Sequence, residues 1–500
     1  MAVAGTTLML LALAAGDAPP QPGATPKEPD YAARFNDRLR EGVTAERNAN
    51  ALLWKAYGPA PEGGDGMPPE FFERLGIPAP PKAGDYFIGL GSFARDRLKL
   101  TPDETMAFHD EQSQASRRPW AAADYPRLAA WLAANEKPLA IVAEAVARPD
   151  YYNPLLTRMT DGKPGSLVGA LMPGVQKARE VAAALTARAM LRAGDGKFDN
   201  AWRDLVACHR LGRHVARGGT LIQVLVGIAI DQVASTADIA YLERADLPAP
   251  RALAYLKEFQ SLPPMPSMAD TIDVGERAVF LDSLQFIRRG ALDEAAGKDR
   301  KPTPKEVKAW ESLDWSPVVK SGNRWYDRMA AALRLATRAE RQAAMDRIDA
   351  DLKELDVGDK EPPAPAWWFG AADPSPPVVE RIGNTLIALT LPAFRKVSDA
   401  ADRAEQVQRN VSLAFALAAY RRAAGAYPDT LAALTPKYLA AVPADVFTGK
   451  NLIYRPAGVS YELYSVGANG RDEGGRGRDD DPAGDDIRVR VPQPAAKMPN

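Results

Sequence analysis

Between Ser465 and Ile487 the sequence SVGANGRDEGGRGRDDDPAGDDI sets seven carboxylates and three arginines among glycines in 23 residues. Carboxylate, amide and main-chain oxygens on a glycine-rich loop are the ligands of a hard divalent cation. Calcium takes six to eight of them in flexible geometry, and the spacing here is not that of an EF-hand. The run carries a net charge of −4, so a folded loop without a counter-ion would repel itself. A solvated acidic loop with no ion has the same composition.

Other residues with chemistry are sparse. The chain has one cysteine and three histidines, which excludes an internal disulfide and multi-cysteine zinc sites. Cys208 and His209 are adjacent, and His214 follows; on a helix these positions look in different directions and cannot chelate one ion together. His109-Asp110-Glu111 offers an acid and a base, but neighbours in sequence do not converge in space, and no nucleophile, zinc, P-loop or dinucleotide motif accompanies them. Asp270, Asp273 and Glu276 share a helical face; a hydrolytic acid pair there would need a second element opposite.

The elements that must position these residues are mostly helices. From Tyr31 to Leu262 Ala and Leu dominate, with Pro and Gly between periodic runs, and Leu128, Trp131, Leu132, Leu139 and Val142 form core stripes, Pro138 marking a kink or a new start. In LTARAMLRAGDGKFDNAWRDLVACHRLGRHVA, Gly196, Phe198 and Ala201 stand where a tetratricopeptide-type hairpin places its turn glycine, inter-helix aromatic and close-contact residue. No second copy follows, so the reading is a helical hairpin in an α-helical array. Residues 263–381 continue as helices broken by Pro-rich segments, and RAERQAAMDRIDADLKEL reads as a solvated charged face. The C-terminal region opens with a helix whose stripe is Val407, Val411, Ala414, Leu417 and Ala418, ended by Gly425. Asp429 is placed to cap a short helix, NLIYR and VSYELYSV supply two strands, and the acidic loop comes last.

Composition bounds the function. The 500 residues, 46% hydrophobic, carry a net charge of −1; that is enough for two or three cores and lacks the basic footprint of a nucleic-acid binder. At the start, an apolar run from Leu8 to Ala15 with small residues at Ala12, Ala14 and Gly16 reads as a signal peptide too short to span a bilayer. The expected organisation is a signal peptide over 1–16, a disordered linker over 17–30, an α-helical domain over 31–262, the Pro-rich continuation over 263–381, an α+β module over 382–492 and a disordered tail over 493–500. Thr220–Ile230 is the longest other apolar stretch and reads as a buried core helix. A soluble, periplasmic or otherwise extracytoplasmic protein is expected, with no transmembrane segment in the mature chain.

From Ser398 to Val491 the chain resembles the globular domain of the major pseudopilin of type II secretion systems. The resemblance rests on AYRRAAGAYPDTL, LTPKYLAAVPADVFTGKNLIYR, YELYSVGANG and the closing DDI. It implies a helix followed by a small antiparallel sheet, and a structural calcium ion in the loop after the last strands. By position its ligands fall on Asn469, Asp472, Asp485 and Asp486, with Asp480 or Asp481 as substitutes. The long apolar N-terminal helix of that family has no counterpart: GNTLIAL only faintly echoes its leader site, and Ala388 stands where the family has Glu, so fibre assembly is not implied. WLAANEKPL, ACHRLGRH and NRWYD are similar to segments of exported bacterial proteins of unassigned activity. The expected function is an exported, non-catalytic scaffold or binding protein of the cell envelope, engaging a protein partner and possessing a calcium-stabilised module. The alternative is an extracytoplasmic hydrolase with a carboxylate site near His109 or Asp270.

Overall fold

The computed structural model describes residues 29–61, 66–157, 159–160, 163–170, 172–289, 303–355 and 374–492. The expected signal peptide and C-terminal tail lie outside these residues. The described chain is mostly helical, with a three-stranded antiparallel sheet near its C-terminal end.

The helices begin and end where local chemistry directs. α1 (Tyr31–Arg40) is capped by Asp30, whose carboxylate accepts from the Ala33 amide at 2.8 Å. α2 (Ala49–Tyr57) and α3 (Pro69–Leu75) follow, then α4 (Pro102–Ala115), whose Thr101 and Glu104 form a reciprocal capping box. Next come α5 (Pro126–Ala134) and α6 (Glu136–Ala145). Pro138 falls in the first turn of α6, where its missing N–H costs nothing, so it marks a new start rather than a kink. The expected stripe of Leu128, Trp131, Leu132, Leu139 and Val142 is buried.

α7 (Pro173–Gly194) and α8 (Phe198–Ala216) form the hairpin, joined by a turn in which Gly196 takes φ +76°. Inside it, Arg188 and Arg192 both pair with the buried carboxylate of Asp204, at 2.7 and 2.8 Å. α9 (Leu221–Ala245) makes its most extensive contact with α8. By length and composition α9 could cross a membrane, but 67% of its most apolar window is buried inside the fold. The two helices cross at paired glycines: a Cβ on Gly227 would stand 2.4 Å from the Gly212 carbonyl oxygen and 2.6 Å from the Ala216 Cβ. Only hydrogen side chains at both positions let the backbones approach so closely.

α10 (Ala249–Gln260) and α11 (Arg277–Arg288) lead into α12 (Pro304–Glu311), α13 (Ser316–Leu333) and α14 (Arg338–Leu352). The charged face expected on α14 is partly an interface. Arg338 and Arg341 reach Asp399 and Asp402 of the last helix, and Asp346 and Asp349 receive Arg395. That last helix, α15, runs unbroken for 49 residues, Pro376–Ala424. Val379, Ile382, Ile387, Phe394 and Val397 of its first half enter a core shared with α13 and α14. Its second half enters the main core with α8–α10 and the sheet. Burial there extends to Leu413, Phe415, Ala416 and Ala419, beyond the single stripe expected, because helices and sheet cover different sides of α15. The C-terminal region thus shares its core with the helical body.

Gly425, at φ +85°, ends α15, and its amide bonds the Arg421 carbonyl at 2.8 Å. The short helix that follows starts from Thr430 without a side-chain cap, so Asp429 is not used as expected. The sheet is a meander of β1 (Ile453–Ala457), β2 (Ser460–Ser465) and β3 (Ile487–Val491), Leu463 pairing with Tyr454 on one side and Val489 on the other. β3 was not anticipated, although IRVRV alternates inward apolar and outward basic residues as a half-buried strand should.

Candidate functional site

The acidic run connects β2 to β3, so it precedes the last strand and does not follow it. Its two ends are fixed side by side by the Ser465–Ile487 pairing. This places Asp485 and Asp486 against the beginning of the loop. Gly467, at φ +66°, allows that approach: a Cβ there would stand 2.3 Å from the Asp485 carbonyl oxygen. Gly467→Ala should cost about 1–3 kcal/mol through overpacking, read as a lower denaturant midpoint in full-length protein.

Three of the four expected ligands join one hydrogen-bonded network, and the fourth lies beside it. The Asp485 carboxylate accepts the Asn469 amide at 3.0 Å. Asp486 is 2% exposed, and its Oδ2 accepts the amides of Gly475 and Glu473 at 2.7 and 3.2 Å, while Oδ1 is buried with no hydrogen-bond donor. Asp472 accepts from Gly474 N at 2.8 Å and the Tyr464 hydroxyl at 3.0 Å. Sequence reasoning missed the residue that links the others: Glu473 accepts from the Asn469 side-chain amide at 2.6 Å and from Asp485 N at 3.1 Å, and its carboxylate meets that of Asp486. Burial, reinforced by Glu473, pushes the Asp486 carboxyl up to about 6. The Gly474 amide holds Asp472 below the usual range, and the Asp485 amide does the same for Glu473.

Part of the loop's charge is met by arginines from outside the run. Arg403 of α15 donates to Asp485 at 3.2 Å, Arg488 of β3 grips Asp480 at 2.5 and 3.0 Å, and Arg455 stands 3.8 Å from Asp472. Asp480 is thereby committed to Arg488, and Asp481 is exposed. Neither substitute ligand belongs to the Asn469–Glu473–Asp485–Asp486 network. Among the described residues, no three His, Cys, Asp or Glu side chains form a ready-made metal-ligand group. What the loop retains for a cation is the Glu473–Asp486 contact and the orphaned Asp486 oxygen.

The other candidates separate. His109 is exposed on α4, and neighbouring Glu111 pairs with Arg127. Asp270 and Asp273 are both bridged by Arg334, at 3.1 and 2.8 Å, and Asp273 also holds Arg277. Glu276 turns away to accept the Leu221 amide at 2.9 Å at the start of α9. Cys208 is fully buried, which pushes its thiol well up. His214 Nε2 donates to the Val146 carbonyl at 3.1 Å and the ring stacks on Tyr151; burial lowers its pKa to about 4, so it is neutral.

His209 is the second site, and its partners were not found from the sequence. It is 0% exposed on α8, with Nδ1 2.8 Å from Asp231 and Nε2 2.9 Å from Asp238, both on α9. With a carboxylate at each ring nitrogen, both nitrogens donate and the ring is an imidazolium. Burial alone would lower its pKa, but the two carboxylates outweigh burial and raise it to about 9. The available signal was Asp231 and Asp238 themselves, seven residues apart on one face of a largely apolar helix and in need of a buried cation.

No protein-family model matches this chain, and no curated protein or solved structure shows significant similarity to it.

Proposed function

We propose that the protein is an exported scaffold or binding protein whose C-terminal region is a pseudopilin-like module stabilised by calcium. The observation that carries this reading is the buried Asp486 Oδ1, left without a donor beside a second carboxylate in a loop rich in oxygen ligands. A divalent cation would be held there by Asp486 and Glu473, with oxygens of Asn469, Asp472 and Asp485 nearby, and would offset the negative charge of the Glu473–Asp486 pair. A long helix leading into a small antiparallel sheet is the plan the resemblance implies, although here the acidic loop precedes the last strand. The first half of α15 packs into the α13–α14 core, and that speaks against a fibre subunit, which would need this part of the helix free. On this reading the α7–α8 pair is a tetratricopeptide-like hairpin and the helices present the surface for a protein partner. The pairing of Asp270 and Asp273 with arginines favours binding over hydrolysis.

The test is calorimetric calcium titration of the full chain and of Asp486→Asn, with thermal unfolding in parallel. Wild type should bind one calcium ion and, at about 100 times its Kd, gain about 2.7 kcal/mol of stability. Asp486→Asn should lose both effects. Equal heats for the two proteins, or no heat for wild type, would remove calcium from the proposal.

A further inference from the structure

A cleft of ≈ 410 Å³ opens between α9, α10, the segment after α10 and the middle of α15. It lies apart from the acidic loop. Val224, Ile228, Phe259, Leu262, Met265 and Met268 give it apolar walls; Arg213, Asp231 and Gln408 form one polar group on its lining, and the Glu405–Arg409 ion pair, closed on itself at 3.0 Å, forms another. That size and distribution suit a small organic molecule, since ligand pockets run from about 300 to 1,000 Å³ with few fixed polar groups. Two methionines add walls that adapt to shape.

The first polar group has a definite preference. The Gln408 amide oxygen accepts from Arg213 at 2.9 Å, and its nitrogen donates to Asp231 and, at 3.0 Å, to the Ser235 hydroxyl. Asp231 uses its second oxygen for His209. Asp231 and the Gln408 nitrogen are therefore engaged, whereas Arg213 retains donors. Of its five N–H groups, one bonds the Pro263 carbonyl and one Gln408, and Nε is buried without a hydrogen bond, 3.5 Å from Asp231. The guanidinium is itself 8% exposed and held in place by these contacts. An apolar cleft lined by a fixed guanidinium with unused donors calls for a hydrogen-bond acceptor at the tip of an apolar body. Asp231 is already shared with His209, which is protonated at neutral pH.

We propose that this cleft binds a small amphipathic carboxylate, its apolar body between Met265, Met268 and Phe259 and its head group on Arg213. A guanidinium donates its strongest hydrogen bonds to a carboxylate. At about 30 Å³ per non-hydrogen atom, the liquid volume of a water molecule, the cleft holds roughly a dozen such atoms, the size of decanoate.

The full-length protein, kept in EDTA so that the acidic loop plays no part, is titrated calorimetrically with sodium decanoate and with 1-decanol. Decanoate should bind at least about tenfold more tightly than the alcohol, the minimum return expected from one charge-assisted contact. Met265→Trp, which fills the cleft from a partly exposed wall and keeps Arg213 in the chain, should abolish binding while its thermal midpoint stays close to wild type. Arg213→Lys, which keeps the charge but loses the planar donor fork, should reduce the preference for the carboxylate. Equal affinity for decanoate and decanol, undiminished binding by Met265→Trp, or no binding heat in wild type would each overturn the proposal.

Discussion

Replacing His209 with alanine will destabilise the protein by about 3–5 kcal/mol, the cost of leaving the buried Asp238 carboxylate unpaired while Asp231 keeps only Arg213 and Gln408. Asp231 and Asp238 are 1% and 0% exposed, and His209 is the cation between them. The lost imidazole packing against Phe259, 5.1 Å between ring centroids, adds to the effect. Urea unfolding should show a lower midpoint with an unchanged slope. The double variant His209→Leu/Asp238→Asn, which removes a buried charge along with its partner, should recover part of the loss; a double variant no better than His209→Ala would contradict the charge argument. The pH dependence has a definite sign. The folded-state pKa of His209, about 9, lies above its ordinary value of 6.5. Its contribution is therefore complete below pH 6.5 and is lost as pH rises through about 9. Wild type should lose stability across that interval, and His209→Leu should lose measurably less. A wild-type profile that is flat from neutral pH to about 10 would mean that His209 is not the cation described.

The second large effect is expected at the α8–α9 crossing. Gly227→Ala should destabilise by about 2–3 kcal/mol, although alanine gains about 1 kcal/mol in helix propensity. The new Cβ would meet the Gly212 carbonyl oxygen at 2.4 Å and the Ala216 amide at 2.8 Å, both backbone atoms of a buried helix that cannot rotate away. Relief requires the helices to separate, and separation lengthens the bonds from His209 to α9. The Gly227 and His209 substitutions should consequently be non-additive in a double-mutant cycle, with a coupling of at least about 0.5 kcal/mol. A Gly227→Ala protein as stable as wild type would show that the crossing is looser than described.

The acidic loop shows what a window of sequence leaves out. The count of −4 was correct for Ser465–Ile487, but Arg403, Arg455 and Arg488 lie outside that window and reach into it. Likewise, the resemblance implies Asn469, Asp472, Asp485 and Asp486, and leaves out Glu473, which joins Asn469 to Asp485. Its role depends on how the chain turns at the glycines around it.

By itself the sequence determined which segments are helical, where several of them start and stop, and which residues line their buried stripes. Periodicity, caps and turn glycines act over a few residues, and Leu128, Trp131, Gly196 and Gly425 occupy the positions those rules assign. Tertiary structure alone decided that α15 is covered on several sides, that IRVRV pairs with β2 and encloses the acidic loop, and that His209 lies between carboxylates 22 and 29 residues away. Those outcomes depend on distances through space: whether a charge is buried, and which opposite charge reaches it, follows from how closely two helices approach, and here two glycines on facing helices set that approach.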